Sequence, residues 1–202
     1  MRRALGCVAM DDPFARFAAW YADAEKAIPE DPNAAVLSTV GPDGAPSARV
    51  VLLKGFDAQG FVFYTNFRSR KGRELAGNPA AALTFHFRPL GRQVRIEGRA
   101  DPVSAAEADA YFATRPRGAQ VGAWASDQSA PLAGRPALEA RVAEVDARYR
   151  GQAVPRPPHW GGYRLVPRRI EFWTGRESRL HERELFERAS PDGPWTVQLL
   201  FP

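Results

Sequence analysis

At 202 residues, 45% hydrophobic and 25% charged, the chain suits a globular domain with a substantial core, and no apolar run nears the roughly 18 residues of a membrane span. Cys7 is the only cysteine, which excludes an intrachain disulfide and fits a reducing cytoplasm. A net charge of +5 and a pI near 9.8 raise nucleic acid as a partner, but acidic residues interleave with the arginines throughout, leaving no basic run to track a phosphate backbone.

Residues 1–11 read as a disordered tail: the apolar stretch before Asp11-Asp12 is short for a signal peptide, and Gly6 and Cys7 interrupt it. Asp12-Pro13 then predicts a helix start, and Phe14, Phe17, Tyr21, Ala24 and Ile28 recur at helical spacing to about residue 28. Residues 34–40 and 47–54 read as strands around the Gly41-Pro42-Asp43-Gly44 turn, and 61–65 as a third. A short helix is expected over 69–77, then strands over 81–87 and 93–98 around Arg88-Pro89-Leu90-Gly91. Five close strands with short turns predict an antiparallel barrel or strongly curled sheet. Helices follow at 108–114, with Ser104 and Glu107 in capping-box spacing, at about 119–124 and at 135–150. A proline-rich connector over 154–158 leads to strands at 162–166, 169–173, 184–188 and 195–200. Strands from both ends of the chain are expected to complete one sheet system with the helices inserted between, a mainly β, α+β domain over 12–202.

Several polar residues stand where a bland strand or helix would not place them. Arg49-Val50-Val51-Leu52-Leu53-Lys54 flanks an apolar middle with two cations. Period-two alternation puts the two on opposite faces unless a bulge intervenes, and alone the run reads as a buried strand with snorkelling ends. Ser69-Arg70-Lys71 follows Tyr64-Thr65 and opens a helix; it reads equally as a phosphate site and as an exposed N-cap with solvated charges. Gln93 suits reading a heterocycle's carbonyl and ring N–H, although a half-exposed strand face explains it as well. Tyr111 and Arg115, one turn apart on a helix, suit an anion clamp. Arg179-Leu180-His181 sets two nitrogen-rich side chains on one face of an extended segment, fit to hold a polarised aromatic ring. His86 and His159 read as structural, no metal spacing occurs, and no Gly-rich loop supports a Rossmann or P-loop site.

Taken in order, Arg49 to Lys54, Phe63-Tyr64-Thr65, Ser69-Arg70-Lys71, Arg92-Gln93-Val94, Gly122-Ala123-Trp124-Ala125-Ser126, Gln128-Ser129, Trp160-Gly161-Gly162-Tyr163, Ile170-Glu171-Phe172-Trp173 and Arg179-Leu180-His181-Glu182-Arg183 resemble the pyridoxine 5′-phosphate oxidases. The resemblance covers nearly all of 12–195. It implies the FMN-binding split barrel, paired as a two-fold homodimer with FMN at the interface. By the same resemblance, Arg49, Ser69, Arg70 and Lys71 meet the FMN phosphate. Val50, Val51, Leu52, Leu53, Lys54, Tyr64, Thr65 and Gln93 line the ribityl chain and isoalloxazine, while Gln128, Ser129, Trp173 and Arg183 reach the flavin from the other subunit. Lys54, Tyr111 and Arg115 take the substrate phosphate, and the catalytic pair Arg179 and His181 lies over the pyridine ring. The implied reaction is oxidation of pyridoxine or pyridoxamine 5′-phosphate to pyridoxal 5′-phosphate, by hydride transfer from C4′ to the flavin with dioxygen as acceptor.

Three departures bear on substrate binding and leave the FMN positions intact. Ala119 stands where the family usually has serine, no counterpart of its longer N-terminal arm is evident before Asp12, and Leu199 stands where arginine is expected. Three other readings are weighed beside this one. A phenazine-biosynthesis oxidase of the same fold is favoured slightly by Glu182, whereas Lys54, Tyr111 and Arg115 favour a phosphate. A non-catalytic FMN or pyridoxal phosphate binding protein is opposed by Arg179 and His181, and a nucleic-acid binder by the scattered charge.

Overall fold

In the computed structural model, which describes residues 12–202, the Asp12 carboxylate accepts the Phe14 N–H at 2.9 Å and caps α1 (Pro13–Ala27). The expected tail over 1–11, with Cys7, lies outside the described residues. The apolar stripe of α1 lies on the sheet. The Phe17 ring meets Phe61 at 4.9 Å and Phe85 at 5.2 Å, and Trp20 meets Phe172 at 5.1 Å, all edge-on. Phe17 is wholly buried, so truncating it to alanine would cost roughly 3–5 kcal/mol.

The strands are β1 (Ala34–Val40), β2 (Pro46–Leu52), β3 (Gly55–Asp57), β4 (Gly60–Asn66), β5 (Ala80–Phe87), β6 (Arg92–Pro102), β7 (Trp160–Thr174), β8 (Glu182–Glu187) and β9 (Thr196–Leu199). They form one antiparallel sheet in the order β2-β1-β5-β6-β7-β4-β3, with β8 on β7 and β9 on β8. Early β4 and late β7 are neighbours, so both ends of the chain do complete one sheet. Residues 162–166 and 169–173, expected as two strands, are one. Pro167 argues for a break, but the ladder to β6 shifts register here. Gly98 faces Pro167 and Glu97 faces Arg169, so Arg168 bulges out and the ladder continues. Gly98 is required at this crossing, since a Cβ there would lie 2.1 Å from the Val166 carbonyl oxygen. β6 pairs with residues 163–174 of β7, while on the other side β4 pairs with residues 160–165 and β8 with 169–174.

Two groups of helices lean on this sheet. Ser69 caps α2 (Arg70–Gly77), its hydroxyl accepting the Gly72 N–H at 3.2 Å. Ser104 caps α3 (Ala105–Thr114) by accepting the Glu107 N–H at 3.1 Å, one half of the expected capping box. α3, α4 (Arg117–Ala125) and the connector after α5 (Arg135–Arg148) close a second apolar cluster of Phe112, Val121, Val154 and Trp160. No helix of the described residues is long and apolar enough to cross a membrane.

Candidate active site

Between the end of β2, β4, α2 and the α3–α4 pair lies a pocket of about 440 Å³. It gathers ten of the residues singled out in the sequence. Val50, Val51, Leu52 and Lys54 come from the β2 edge, and Tyr64 and Thr65 from β4. Lys71, Tyr111, Arg115 and Gln128 come from the helices and the loop after α4. Alternation explains Lys54 only in part: β2 ends at Leu52, and Lys54 extends beyond it, exposed, with its N–H on the Val62 carbonyl at 2.8 Å. Leu53 does not join the wall. Its side chain is buried in the core, and its backbone N–H and carbonyl are both taken by Asn33.

One end of the pocket is built on α2. Arg49 donates to Thr39 and Ser47 and reaches the Glu74 carboxylate at 3.2 Å, while Arg70 binds the other Glu74 oxygen at 2.8 Å. Thr39 and Ser47 also donate to Glu74. Burial works against charge on Glu74, but these four donors outweigh it and hold the carboxyl at about 2. Glu74 thus offsets Arg49 and Arg70. Lys71 has no such partner. It is 9% exposed, and its ammonium donates only to neutral oxygens, Thr65 Oγ1 at 3.2 Å, Gln128 Oε1 at 3.3 Å and Ser69 Oγ at 3.5 Å. Burial first, and the Arg49 charge second, push its pKa down.

The other end is aromatic. Tyr64 stacks on Tyr111 at 4.0 Å and on Trp160 at 5.3 Å, with the planes nearly parallel. Gly162 makes room for this stack, because a Cβ there would lie 2.8 Å from the Tyr64 ring. Arg115 sits beside the stack, its Nη1 buried without a hydrogen-bond partner and its pKa lowered by burial. Lys54, Lys71 and Arg115 therefore face one cavity, and among the described residues no carboxylate lines it. Ala119 and Trp160 complete this end.

The remaining candidates lie elsewhere in the chain. Gln93, Trp173 and Arg183 form one cross-strand row on β6, β7 and β8. Gln93, expected to line the ribityl chain and isoalloxazine with Tyr64 and Thr65, stands in a row with Trp173 and Arg183, because β6 pairs with β7 and not with β4. Gln128 moves the opposite way: expected from the other subunit, it bonds Thr65 and Lys71 of its own chain. Ser129 follows it, exposed and left-handed at φ 72°. Arg183 is held bidentately by Glu171, which is 3% exposed and also takes Arg95 at 2.8 Å. Arg179 and His181 are not on an extended segment. Ser178 and Arg179 adopt φ 54° and 61° in a tight turn, with Arg179 exposed. His181 packs at 4.6 Å from Trp173, and its Nδ1 accepts the Arg176 N–H at 3.2 Å, which leaves the proton of the neutral ring on Nε2. His86 is exposed on β5, and His159 Nε2 lies 3.1 Å from the Ala123 carbonyl. Among the described residues no cluster suits a metal ion.

Glu74, Glu171 and Trp160 carry much of this geometry and were not among the candidate site residues. Glu74 has one sequence signal, its i,i+4 spacing from Arg70; Glu171 looks like an ordinary outward strand position.

The family model for pyridoxamine 5′-phosphate oxidase matches residues 21–149, and that for the pyridoxine 5′-phosphate oxidase C-terminal dimerisation region matches residues 160–202. A pyridoxine/pyridoxamine 5′-phosphate oxidase of Myxococcus xanthus is 63% identical over 191 residues, covering 95% of this chain and 92% of the relative. Its counterpart in Azorhizobium caulinodans is 58% identical, covering 96% and 92%. Among solved structures, PhzG from Burkholderia lata in complex with tetrahydrophenazine-1-carboxylic acid superposes with a TM-score of 0.89 at 36% identity, over 98% of each chain. A pyridoxamine 5′-phosphate oxidase-related, FMN-binding protein from Nostoc punctiforme shares the fold, with a TM-score of 0.75 at 18% identity over 99% of this chain and 100% of that one. The curled antiparallel sheet is thus the split barrel anticipated from the sequence, and the chain belongs to the pyridoxamine 5′-phosphate oxidase family.

Proposed function

We propose that the chain is an FMN-dependent oxidase that converts pyridoxine or pyridoxamine 5′-phosphate to pyridoxal 5′-phosphate with dioxygen as acceptor. The observation that carries this reading is the pocket in which Lys54, Lys71 and Arg115 converge with no lining carboxylate among the described residues. Burial lowers the pKa of both Lys71 and Arg115, so holding the two charged around one cavity is costly unless an anion occupies the space. Arg115 lines this space and forms no ion pair among the described residues, so its charge is free for such an acceptor.

The donor set fits FMN at one end and a second phosphate at the other. Lys71, Ser69 and the start of α2 would hold the FMN phosphate, with Arg49 and Arg70 fixed beside it by Glu74. Val50, Val51, Leu52, Tyr64, Thr65 and Gln128 would flank the rest of the cofactor. Bound FMN supplies two-electron oxidation at the substrate's C4′ with dioxygen as final acceptor. The chain's own work is to bind and orient. Lys54, Tyr111 and Arg115 would clamp the substrate phosphate and so fix the distance from it to C4′.

Within one chain the row of Gln93, Trp173 and Arg183, with His181 against Trp173, does not line this pocket. Residues 160–202 match a dimerisation region, which supports a homodimer where each row faces the partner's pocket. There Arg179 and His181 would cover the pyridine ring, and His181 would present Nε2–H as a donor.

The relatives named for B6 oxidation are 57–63% identical to this chain, against 36% for the phenazine-bound neighbour. Lys54 and Arg115, the two cations of the substrate clamp, also match a phosphate dianion better than a single carboxylate. The visible spectrum of the purified protein tests the reading: flavin bands at about one FMN per subunit, bleached under anaerobic pyridoxine 5′-phosphate. A colourless protein, or flavin indifferent to that substrate, refutes it.

A further inference from the structure

The anion-facing guanidinium of Arg115 is held in an unusual way. A buried arginine is commonly fixed by a carboxylate, as Arg183 is by Glu171 and Arg49 by Glu74. Arg115 forms no ion pair among the described residues, and its Nη1 is buried without a partner. Its Cζ lies 4.7 Å above the Trp160 ring and 5.5 Å from the Phe112 ring. An ion pair would orient the guanidinium but cancel its charge and occupy its donors. An indole face orients it through the ring quadrupole and leaves both charge and N–H groups free.

We infer that Trp160 is the positioning residue of the phosphate clamp, holding Arg115 over its indole face and Tyr111 in its aromatic stack so that both meet the substrate phosphate. Trp160 is 6% exposed and closes one end of the pocket. Its ring is parallel to Tyr64 at 5.3 Å and to Tyr111 within 10° at 6.2 Å, so the side chain that carries Arg115 on its face also sets the stack in which Tyr111 stands. The inference rests on the phosphate assignment made above for Arg115.

The test uses the FMN-loaded enzyme in four forms: parent, Trp160→Phe, Trp160→Leu and Arg115→Ala. Three quantities are measured: the inhibition constant of inorganic phosphate, KM and kcat for pyridoxine 5′-phosphate, and KM for unphosphorylated pyridoxine. A desolvated cation–π contact corresponds to roughly 3- to 30-fold in affinity. Trp160→Phe, which keeps a smaller aromatic face, is expected to weaken phosphate and raise KM for the phosphorylated substrate about 3-fold, and Trp160→Leu about 10-fold or more. The KM for pyridoxine, which carries no phosphate for the clamp to hold, stays within about 2-fold. The Phe variant keeps the experiment decisive if the Leu variant fails to fold. Two results overturn the inference. In one, phosphate and pyridoxine lose affinity alike, so Trp160 only packs the wall. In the other, Trp160→Phe matches the parent while Arg115→Ala is weakened, so Arg115 is held by something else. If Arg115→Ala itself binds phosphate normally, the phosphate assignment fails, and the inference with it.

Discussion

Replacing Lys71 by methionine tests the electrostatic reading of the pocket most directly, because function and stability are expected to move in opposite directions. The ammonium is 9% exposed and has three neutral partners, Thr65, Gln128 and Ser69. A charge-assisted hydrogen bond to a phosphate contributes roughly 1.5–3 kcal/mol, so Lys71→Met should weaken FMN by roughly 12- to 160-fold. Riboflavin, which lacks the phosphate, should bind parent and variant alike. The cofactor-free protein responds differently. Burial and then Arg49 lower the Lys71 pKa, so the fold disfavours the charged form. That penalty is present in full below the lowered pKa and fades as pH rises toward the ordinary value of 10.5. Apo Lys71→Met should therefore melt no lower than the apo parent at neutral pH, and any advantage should narrow toward alkaline pH. Fluorescence titration of FMN and riboflavin, with thermal melts across pH, reads all of this. An FMN affinity within about 3-fold of the parent, or an equal loss for riboflavin, would refute the phosphate role of Lys71.

Three further outcomes follow from the same geometry. Because the Lys71 pocket and the Arg183 row lie apart in one chain, mixing Lys71→Ala and Arg183→Ala subunits should restore about one good site per heterodimer; no recovery after verified subunit exchange would sink the shared-site proposal. Ala119 lines the pocket near Arg115, so Ala119→Ser should lower KM for pyridoxine 5′-phosphate about 2- to 13-fold at nearly constant kcat, whereas Arg179→Ala or His181→Ala should depress kcat; steady-state kinetics separates the two roles. Glu74, held at about 2 against an ordinary 4.5, contributes stability that is complete above about pH 4.5 and is lost as pH falls toward 2. Acid melts of Glu74→Gln should accordingly lack part of the parent's slope across that window, and identical slopes would argue against the hydrogen-bonded carboxylate.

Local signals in the sequence were enough for most elements. Asp12-Pro13, Ser69 and Ser104 cap the helices they announce, and the turns around Gly41 and Gly91 separate the strands expected there. β3 is three residues long, too short for any periodicity to show. Pro167 read as a break because an extra residue, Arg168, is absorbed by a bulge that only the partner strand reveals. The turn at Ser178 and Arg179 gave no warning, since neither residue favours positive φ. The side on which Gln93 and Gln128 stand is a property of strand order and of the loop after α4, which residue types do not encode. Glu74 and Glu171 look like solvated charges in a string of letters; their meaning comes from arginines 25 and 12 residues away that fold onto them.

The long β7 strand has a consequence for how the site is lost. It is bonded to β6 over 163–174 on one side, and on the other to β4 over 160–165 and to β8 over 169–174, so most of its backbone is paired on both sides. Its first half buttresses Tyr64 and Thr65, and its second half carries Trp173 and the Glu171 that grips Arg183. Its doubly paired amides are expected to exchange with solvent more slowly than those of β3 and β9, which lie at the margins. The pocket and the row assigned to its partner thus belong to one cooperative unit, and heating or denaturant removes both in a single step.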